Sequence, residues 1–184
     1  MISYLFQGLW LFWLIYWIAL AFGNKHSVAQ VHPAWRRASL LSAVALILAW
    51  REFPGHFRHE LAPHSDVRVW IGFALTAAGI GFAIWARNTL GRNWSSAPVI
   101  KEGHDLIRSG PYSLVRHPIY TGLLLAVFGT GLASATTWWI YTLVLTFLLF
   151  LWKIRLEESL MQRQFPEAYP AYRAKTKALI PFVY

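Results

Sequence analysis

Apolar residues are grouped into five runs along the chain, which cover residues 2–22, 35–50, 69–86, 119–132 and 137–152. A helix needs about 20 predominantly apolar residues to cross the hydrocarbon core of a bilayer. The first and third runs approach that length, whereas the second and fourth are shorter and could be tilted or partly re-entrant. The pattern therefore predicts an all-α integral membrane protein with about five transmembrane helices.

The connections between these runs differ in polarity. Small, uncharged residues at 129–135 predict a tight hairpin between the fourth and fifth helices. The segments 87–116 and 153–184 are polar, and the second contains a helical run at 153–165 and a shorter predicted helix at 167–179, ending before Pro181. Neither segment is large enough to bury a core alone. We therefore expect the two segments to pack together and close a pocket at the membrane surface.

The composition agrees with a membrane protein, because 57% of the residues are hydrophobic, only 14% are charged, and 11 are Trp. The first run is too long for a signal peptide and has no basic residue before it, so it is interpreted as the first transmembrane helix. The chain has no Cys, which excludes disulfides, thiol catalysis and cysteine-ligated zinc.

The charge distribution predicts the orientation of the helices. The formal net charge is +9, but 14 of the 17 Lys and Arg residues fall on one side of a five-span arrangement. Cytoplasmic loops carry such an excess, so the N-terminus is predicted outside, and segment 87–116 and the C-terminus in the cytoplasm. In a bacterium this membrane would be the inner, or plasma, membrane. Because the basic residues lie between apolar runs, we expect no nucleic-acid partner.

Three clusters of residues could carry chemistry. His56, His59, Glu60 and His64 could ligate a metal, but Pro54, Gly55 and Pro63 favour a solvated irregular loop, and we expect no metal. The segment from Leu90 to Tyr120 mixes His, Tyr, Trp and Gly in a way that suits a bound nucleoside, or else an aromatic belt at the membrane interface. The third cluster is Lys153, Arg155, Glu157 and Glu158, which could equally form surface salt bridges.

Taken in order, these residues resemble the isoprenylcysteine carboxyl methyltransferase family of integral membrane enzymes and the wider group that includes phospholipid N-methyltransferases. The resemblance covers roughly residues 90–182, about half of the chain. It rests on an ordered set of motifs: Leu90-Gly-Arg-Asn-Trp-Ser, His104-x-Leu-Ile, Gly110-Pro-Tyr, Arg116-His-Pro-x-Tyr-x-Gly, Glu157-Glu158, and Phe165 with Tyr169-x-x-Tyr172 and Ile180-Pro181.

The resemblance implies that residues 87–184 form a methyltransferase catalytic region behind three N-terminal transmembrane helices at 1–86, with S-adenosylmethionine as the cofactor in a cytoplasmic pocket. Glu157 would hold the ammonium group of the cofactor. The other cofactor-binding residues that it implies are His104, Asp105, Leu106, Ile107, Tyr112, His117, Pro118, Ile119 and Tyr120.

The resemblance also implies a lipophilic acceptor that enters from the lipid bilayer and is methylated on a carboxylate. The family places an arginine one helical turn before the glutamate, facing that carboxylate. Here Lys153 occupies the position and Arg155 lies nearby, so either cation could act with Glu157 in catalysis. Three other functions stay open: methylation of a lipid amine, reduction with a nicotinamide cofactor, and a non-catalytic membrane scaffold.

Overall fold

The computed structural model describes residues 2–21, 59–94 and 105–181. Within these ranges the chain forms the helices α1 (Ile2–Ala21), α2 (Asp66–Leu90), α3 (Pro118–Ser134), α4 (Thr137–Gln164) and α5 (Ala168–Lys175), with 3-10 helices at Gly91–Asn93 and Gly110–Ser113. The helices α1, α2 and α4 are long and apolar enough to cross a membrane. The all-α membrane architecture is thus confirmed, while the predicted run at 35–50 lies outside the described residues.

The boundaries of two helices differ from the sequence prediction. The fifth apolar run and the polar run at 153–165 form one unbroken 28-residue helix, α4. The predicted helix at 167–179 is wrong in its last turn, because α5 ends at Lys175. Beyond it the chain is held in place by backbone pairing: the N–H groups of Arg116 and His117 donate to the carbonyl groups of Lys177 and Ala178 at 2.8 and 3.0 Å.

Among the described helices, α2 and α3 form the most closely packed pair, because small residues line both sides of their contact. A Cβ atom placed on Gly72 would lie 2.5 Å from the carbonyl oxygen of Gly129, and one placed on Gly129 would lie 2.6 Å from the carbonyl oxygen of Gly72. Such close backbone approach is typical of helix association in membranes, where packing replaces the hydrophobic effect.

We expect Gly129→Ala to destabilise the protein by about 1–3 kcal/mol, because the added methyl group would have to push α2 and α3 apart. The measurement is the melting temperature of the purified protein in detergent. Gly81→Ala is the matched control, since a Cβ atom there would meet nothing within 4 Å. Equal melting temperatures for the two variants would contradict the tight packing of this pair.

Helix α1 lies against α2 and α3 through contacts spread along its length. Near its beginning, the rings of Phe6 and Phe73 meet edge to face at 5.5 Å. In its middle, Trp10 Nε1 donates to Thr130 Oγ1 at 3.1 Å. At its end, the guanidinium group of Arg87 donates to the carbonyl oxygen of Leu20 at 2.9 Å. These contacts bring the end of α1 beside the end of α2.

The hairpin between α3 and α4 lies at the opposite end of the bundle. Ala135 caps α3 with a left-handed backbone, at a φ of 46°. The loop before α2 pairs with this turn, since the N–H of Leu61 donates to the carbonyl oxygen of Ala135 at 2.7 Å. The end of α2, the beginning of α3 and the polar half of α4 therefore all face the other side, where the motif residues meet.

Candidate active site

A cavity of about 340 Å³ lies where α1, the end of α2, the beginning of α3, the polar half of α4 and α5 converge. Among the described residues, its wall is mainly aromatic and aliphatic, and its charged members are few. They are Asp105, Arg116, Lys153 and Glu157, with His117 beside them. An apolar pocket with a few converging polar groups is the usual form of a small-molecule site.

Two prolines set the path of the chain along one side of the cavity. Pro111 lies in the first turn of a 3-10 helix, which directs the buried Tyr112 inward. The phenol of Tyr172 donates to the carbonyl oxygen of Tyr112 at 2.5 Å and fixes this turn against α5. Pro118 then begins α3, where its fixed φ suits the first turn. His117, just before it, borders the cavity.

The carboxylate of Glu157 is the centre of a polar network inside the cavity. The phenol of Tyr120 donates to Glu157 Oε1 at 2.5 Å. His117 Nδ1 lies 3.6 Å from Glu157 Oε2, and Lys153 Nζ lies 3.8 Å from Oε1. The ammonium group of Lys153 also lies 5.2 Å from the ring centroid of Tyr120. Glu157 thus joins α3 to α4 and presents negative charge to the cavity.

Glu158 has a different position from its neighbour, although both are carboxylates on α4. It accepts hydrogen bonds from Arg116 Nε at 2.9 Å and from Arg116 Nη2 at 2.6 Å. The same guanidinium group also donates to the carbonyl oxygen of Thr176, and Arg173 Nε lies 3.6 Å from Glu158 Oε2. The ion pair between Arg116 and Glu158 therefore connects α4 to the C-terminal segment. Unlike Glu157, Glu158 does not line the cavity.

His117 lies between the two carboxylates, with its Nε2 atom 3.3 Å from Glu158 Oε1. Burial lowers the pKa of His117, but its hydrogen bonds to Glu157 and Glu158 and their negative charges raise it by more, so that the pKa lies above its ordinary value. The imidazole is therefore biased towards its protonated form, which makes it a poor general base. Burial, followed by the charge of Glu157, raises the pKa of Tyr112, which stays a neutral phenol.

The structure brings most of the predicted site residues to one cavity. Those that line it are Asp105, Leu106, Ile107, Tyr112, His117, Ile119, Tyr120, Lys153 and Glu157. Pro118 is fully buried behind the wall, and Arg155 is exposed on α4, away from the cavity. His104 lies outside the described residues, as does His56 of the cluster formed by His56, His59, Glu60 and His64. In that cluster, His64 Nε2 pairs with Asp66 Oδ1 at 3.1 Å.

Two wall residues on α1 were missed by the sequence interpretation, which assigned the first helix no role beyond crossing the membrane. Trp13 and Trp17 both border the cavity, and the ring of Trp17 meets that of Trp94 edge to face at 5.5 Å. The available signal was the spacing of Trp10, Trp13 and Trp17, which places three indoles on one face of a helix.

The sequence model of the phospholipid methyltransferase family matches residues 67–168. Among curated proteins, the chain is 32% identical over 114 residues to the nickel-cobalt-cadmium resistance protein NccN of Alcaligenes xylosoxydans xylosoxydans, covering 61% of this chain and 52% of the relative. It is 30% identical over 118 residues to a probable protein-S-isoprenylcysteine O-methyltransferase of Oryza sativa subsp. indica, covering 62% and 61%.

A Schizosaccharomyces pombe protein-S-isoprenylcysteine O-methyltransferase is 33% identical over 85 residues, which cover 44% of this chain and 34% of that protein. The chain spans about half the length of the curated relatives it matches. Its fold is similar to that of a eukaryotic intramembrane Ras methyltransferase, with a TM-score of 0.60, 24% identity, and coverage of 85% of this chain and 55% of the other.

Proposed function

The chain belongs to the phospholipid methyltransferase family, and from this premise we propose that it transfers a methyl group from S-adenosylmethionine to the carboxylate of a lipophilic, isoprenylcysteine-like acceptor. The observation that carries the proposal is the cavity in which the carboxylate of Glu157 and the ammonium group of Lys153 lie one helical turn apart, 3.8 Å from each other. This arrangement offers one anion for a cationic donor and one cation for an anionic acceptor.

The residues of the cavity fit S-adenosylmethionine. Glu157 would hold its ammonium group, and the aromatic faces of Tyr112 and Tyr120 suit a positively charged sulfur, which such faces favour by roughly 0.5–2 kcal/mol. The side-chain oxygen of Asn93 is buried in the wall and has no hydrogen-bond partner among the described residues. An N–H group of the donor would satisfy it, since an unpaired buried acceptor is costly.

When bound, S-adenosylmethionine supplies a methyl group on a cationic sulfur. Transfer of this group to a carboxylate oxygen breaks the sulfur–methyl bond and leaves the electron pair of that bond on sulfur. The transfer moves no proton. The side chains then need only to align the acceptor and exclude water. Lys153 is suited to hold the acceptor carboxylate. His117, held between two carboxylates, is not required as a base.

Methylation of a lipid amine is the second candidate, since the family's name is that of phospholipid methyltransferases. An ammonium acceptor must lose a proton before it is methylated and is repelled by Lys153, which favours the carboxylate acceptor.

The positive-inside distribution of Lys and Arg supports a site that faces the cytoplasm. The apolar wall supports entry of the acceptor from the surrounding lipid.

Titration of the purified protein in detergent with S-adenosylmethionine, S-adenosylhomocysteine and NADPH tests the class of function. We expect saturable binding of the two adenosyl compounds and none of NADPH, because the cavity carries an anion where the ammonium group would lie. Binding of NADPH alone would indicate a reductase, and binding of none of the three would indicate a scaffold.

A further inference from the structure

On helix α1, the indole rings of Trp10, Trp13 and Trp17 lie in a row that faces the interior of the bundle. The rings of Trp10 and Trp13 meet edge to face at 5.8 Å, and those of Trp13 and Trp17 lie 5.2 Å apart. The nitrogen of Trp10 is occupied by its hydrogen bond to Thr130. The nitrogen of Trp13 is buried and has no hydrogen-bond partner within residues 2–21, 59–94 and 105–181.

The position of Trp13 makes an unpaired N–H group costly. Trp13 lies eight residues before the end of α1, and a rise of 1.5 Å per residue places it about 12 Å from that end, within the bilayer. The hydrocarbon of the bilayer offers no acceptor for the group. Because Trp13 lines the cavity, a ligand in the cavity is the natural source of the missing acceptor.

The part of the cavity beside Trp13 differs in chemistry from the part beside Glu157. Glu157 lies on the polar half of α4, and Asn93 lies just after the end of α2. Both border the polar part of the cavity. Trp13 lies on the apolar side, with Leu123 and Phe150 as fellow wall residues. A molecule that occupies this side must be largely apolar and must carry an oxygen that can accept a hydrogen bond.

We propose that Trp13 is a specificity-determining residue for the methyl acceptor, whose oxygen receives a hydrogen bond from the indole N–H group. The inference rests on the proposed function and assigns α1 a role in recognising the acceptor. Trp13 would contribute only to acceptor binding and not to the donor site. Fully apolar chains without an oxygen at this depth would leave the N–H group unpaired and bind less tightly.

The test compares Trp13→Phe with Trp10→Phe, since each removes one indole N–H group from adjacent turns of α1. The probe is N-acetyl-S-farnesylcysteine, titrated into protein in lipid nanodiscs with and without S-adenosylhomocysteine. We expect Trp13→Phe to weaken binding of the probe about two- to tenfold, as for one neutral hydrogen bond. The KM for the probe should rise by the same factor, with donor affinity unchanged. Trp10→Phe should lower the melting temperature and leave both affinities unchanged.

Unchanged affinity for the probe in Trp13→Phe would overturn the inference. So would a parallel loss of donor and acceptor affinity, which would indicate a general packing role, or a wild-type protein that does not bind the probe. Failure of the wild-type protein to bind S-adenosylhomocysteine would instead count against the proposed function. The direct titration of the probe would still decide the role of Trp13 in that case.

Discussion

Replacing Glu157 with Gln is expected to weaken the binding of S-adenosylmethionine at least thirtyfold. The change keeps the size of the side chain and removes its charge, so the ammonium group of the donor loses its counter-ion inside a largely apolar cavity. Truncating one partner of a desolvated charge pair costs about 2–5 kcal/mol, and 1.4 kcal/mol corresponds to a factor of ten. Isothermal titration of the purified variant in detergent measures the effect.

Two other carboxylates provide controls for this prediction. Glu158→Gln should lower the melting temperature, because it breaks the buried pair with Arg116, and should leave donor affinity much less affected than Glu157→Gln. Glu167→Gln, at an exposed position, should change neither quantity. If Glu157→Gln is folded and binds the donor as tightly as the wild-type protein does, Glu157 is not part of a donor site.

The membrane helices and the shared face of Lys153 and Glu157 could be predicted because their signals are local, whereas the other cavity residues were expected from the resemblance to the methyltransferase family. Apolar runs of nearly 20 residues indicate membrane-spanning helices without reference to the rest of the chain. Lys153 and Glu157 are four residues apart, and this spacing alone places both on one face of α4. Arg155, two residues from each, then lies on another face, and it is exposed in the structure.

The wall formed by α1 could not be predicted in the same way. An indole that faces lipid and one that faces a cavity have the same hydropathy, and Trp is common near membrane interfaces for reasons unrelated to ligands. What separates Trp10 from Trp13 is the presence of Thr130 beside only one of the two nitrogens. That difference depends on how α3 packs against α1, which the sequence of α1 does not contain.

The end of α5 shows how distant contacts override local preference. Residues 176–179 continue a sequence that is compatible with a helix, yet their carbonyl groups are used by residues about 60 positions earlier. The hydroxyl of Thr121, for example, donates to the carbonyl oxygen of Leu179 at 2.7 Å. Backbone groups in a buried segment must be paired, and pairing with Arg116 and His117 replaces the last helical turn.

Replacing Lys153 with Met is expected to weaken binding of a carboxylate acceptor at least thirtyfold and to lower turnover, with donor affinity nearly constant. Met keeps the length of the side chain and removes the charge. Lys153 lies in the cavity wall, near the ring of Tyr120 and one turn from Glu157. An acceptor carboxylate placed there would lose a desolvated counter-charge, at a cost of about 2–5 kcal/mol.

Arg155→Met is the matched control, because it removes a cation two residues away on the exposed face of the same helix. The measurement is methyl transfer by each single variant to a panel of lipophilic acids and lipid amines. Arg155 could reach the acceptor only if α4 unwound near the membrane, whereas the helix is continuous from Thr137 to Gln164. We therefore expect Arg155→Met to keep its activity on acids. Full activity in both variants, or transfer to amines alone, would indicate that the acceptor is a lipid amine and not a carboxylate.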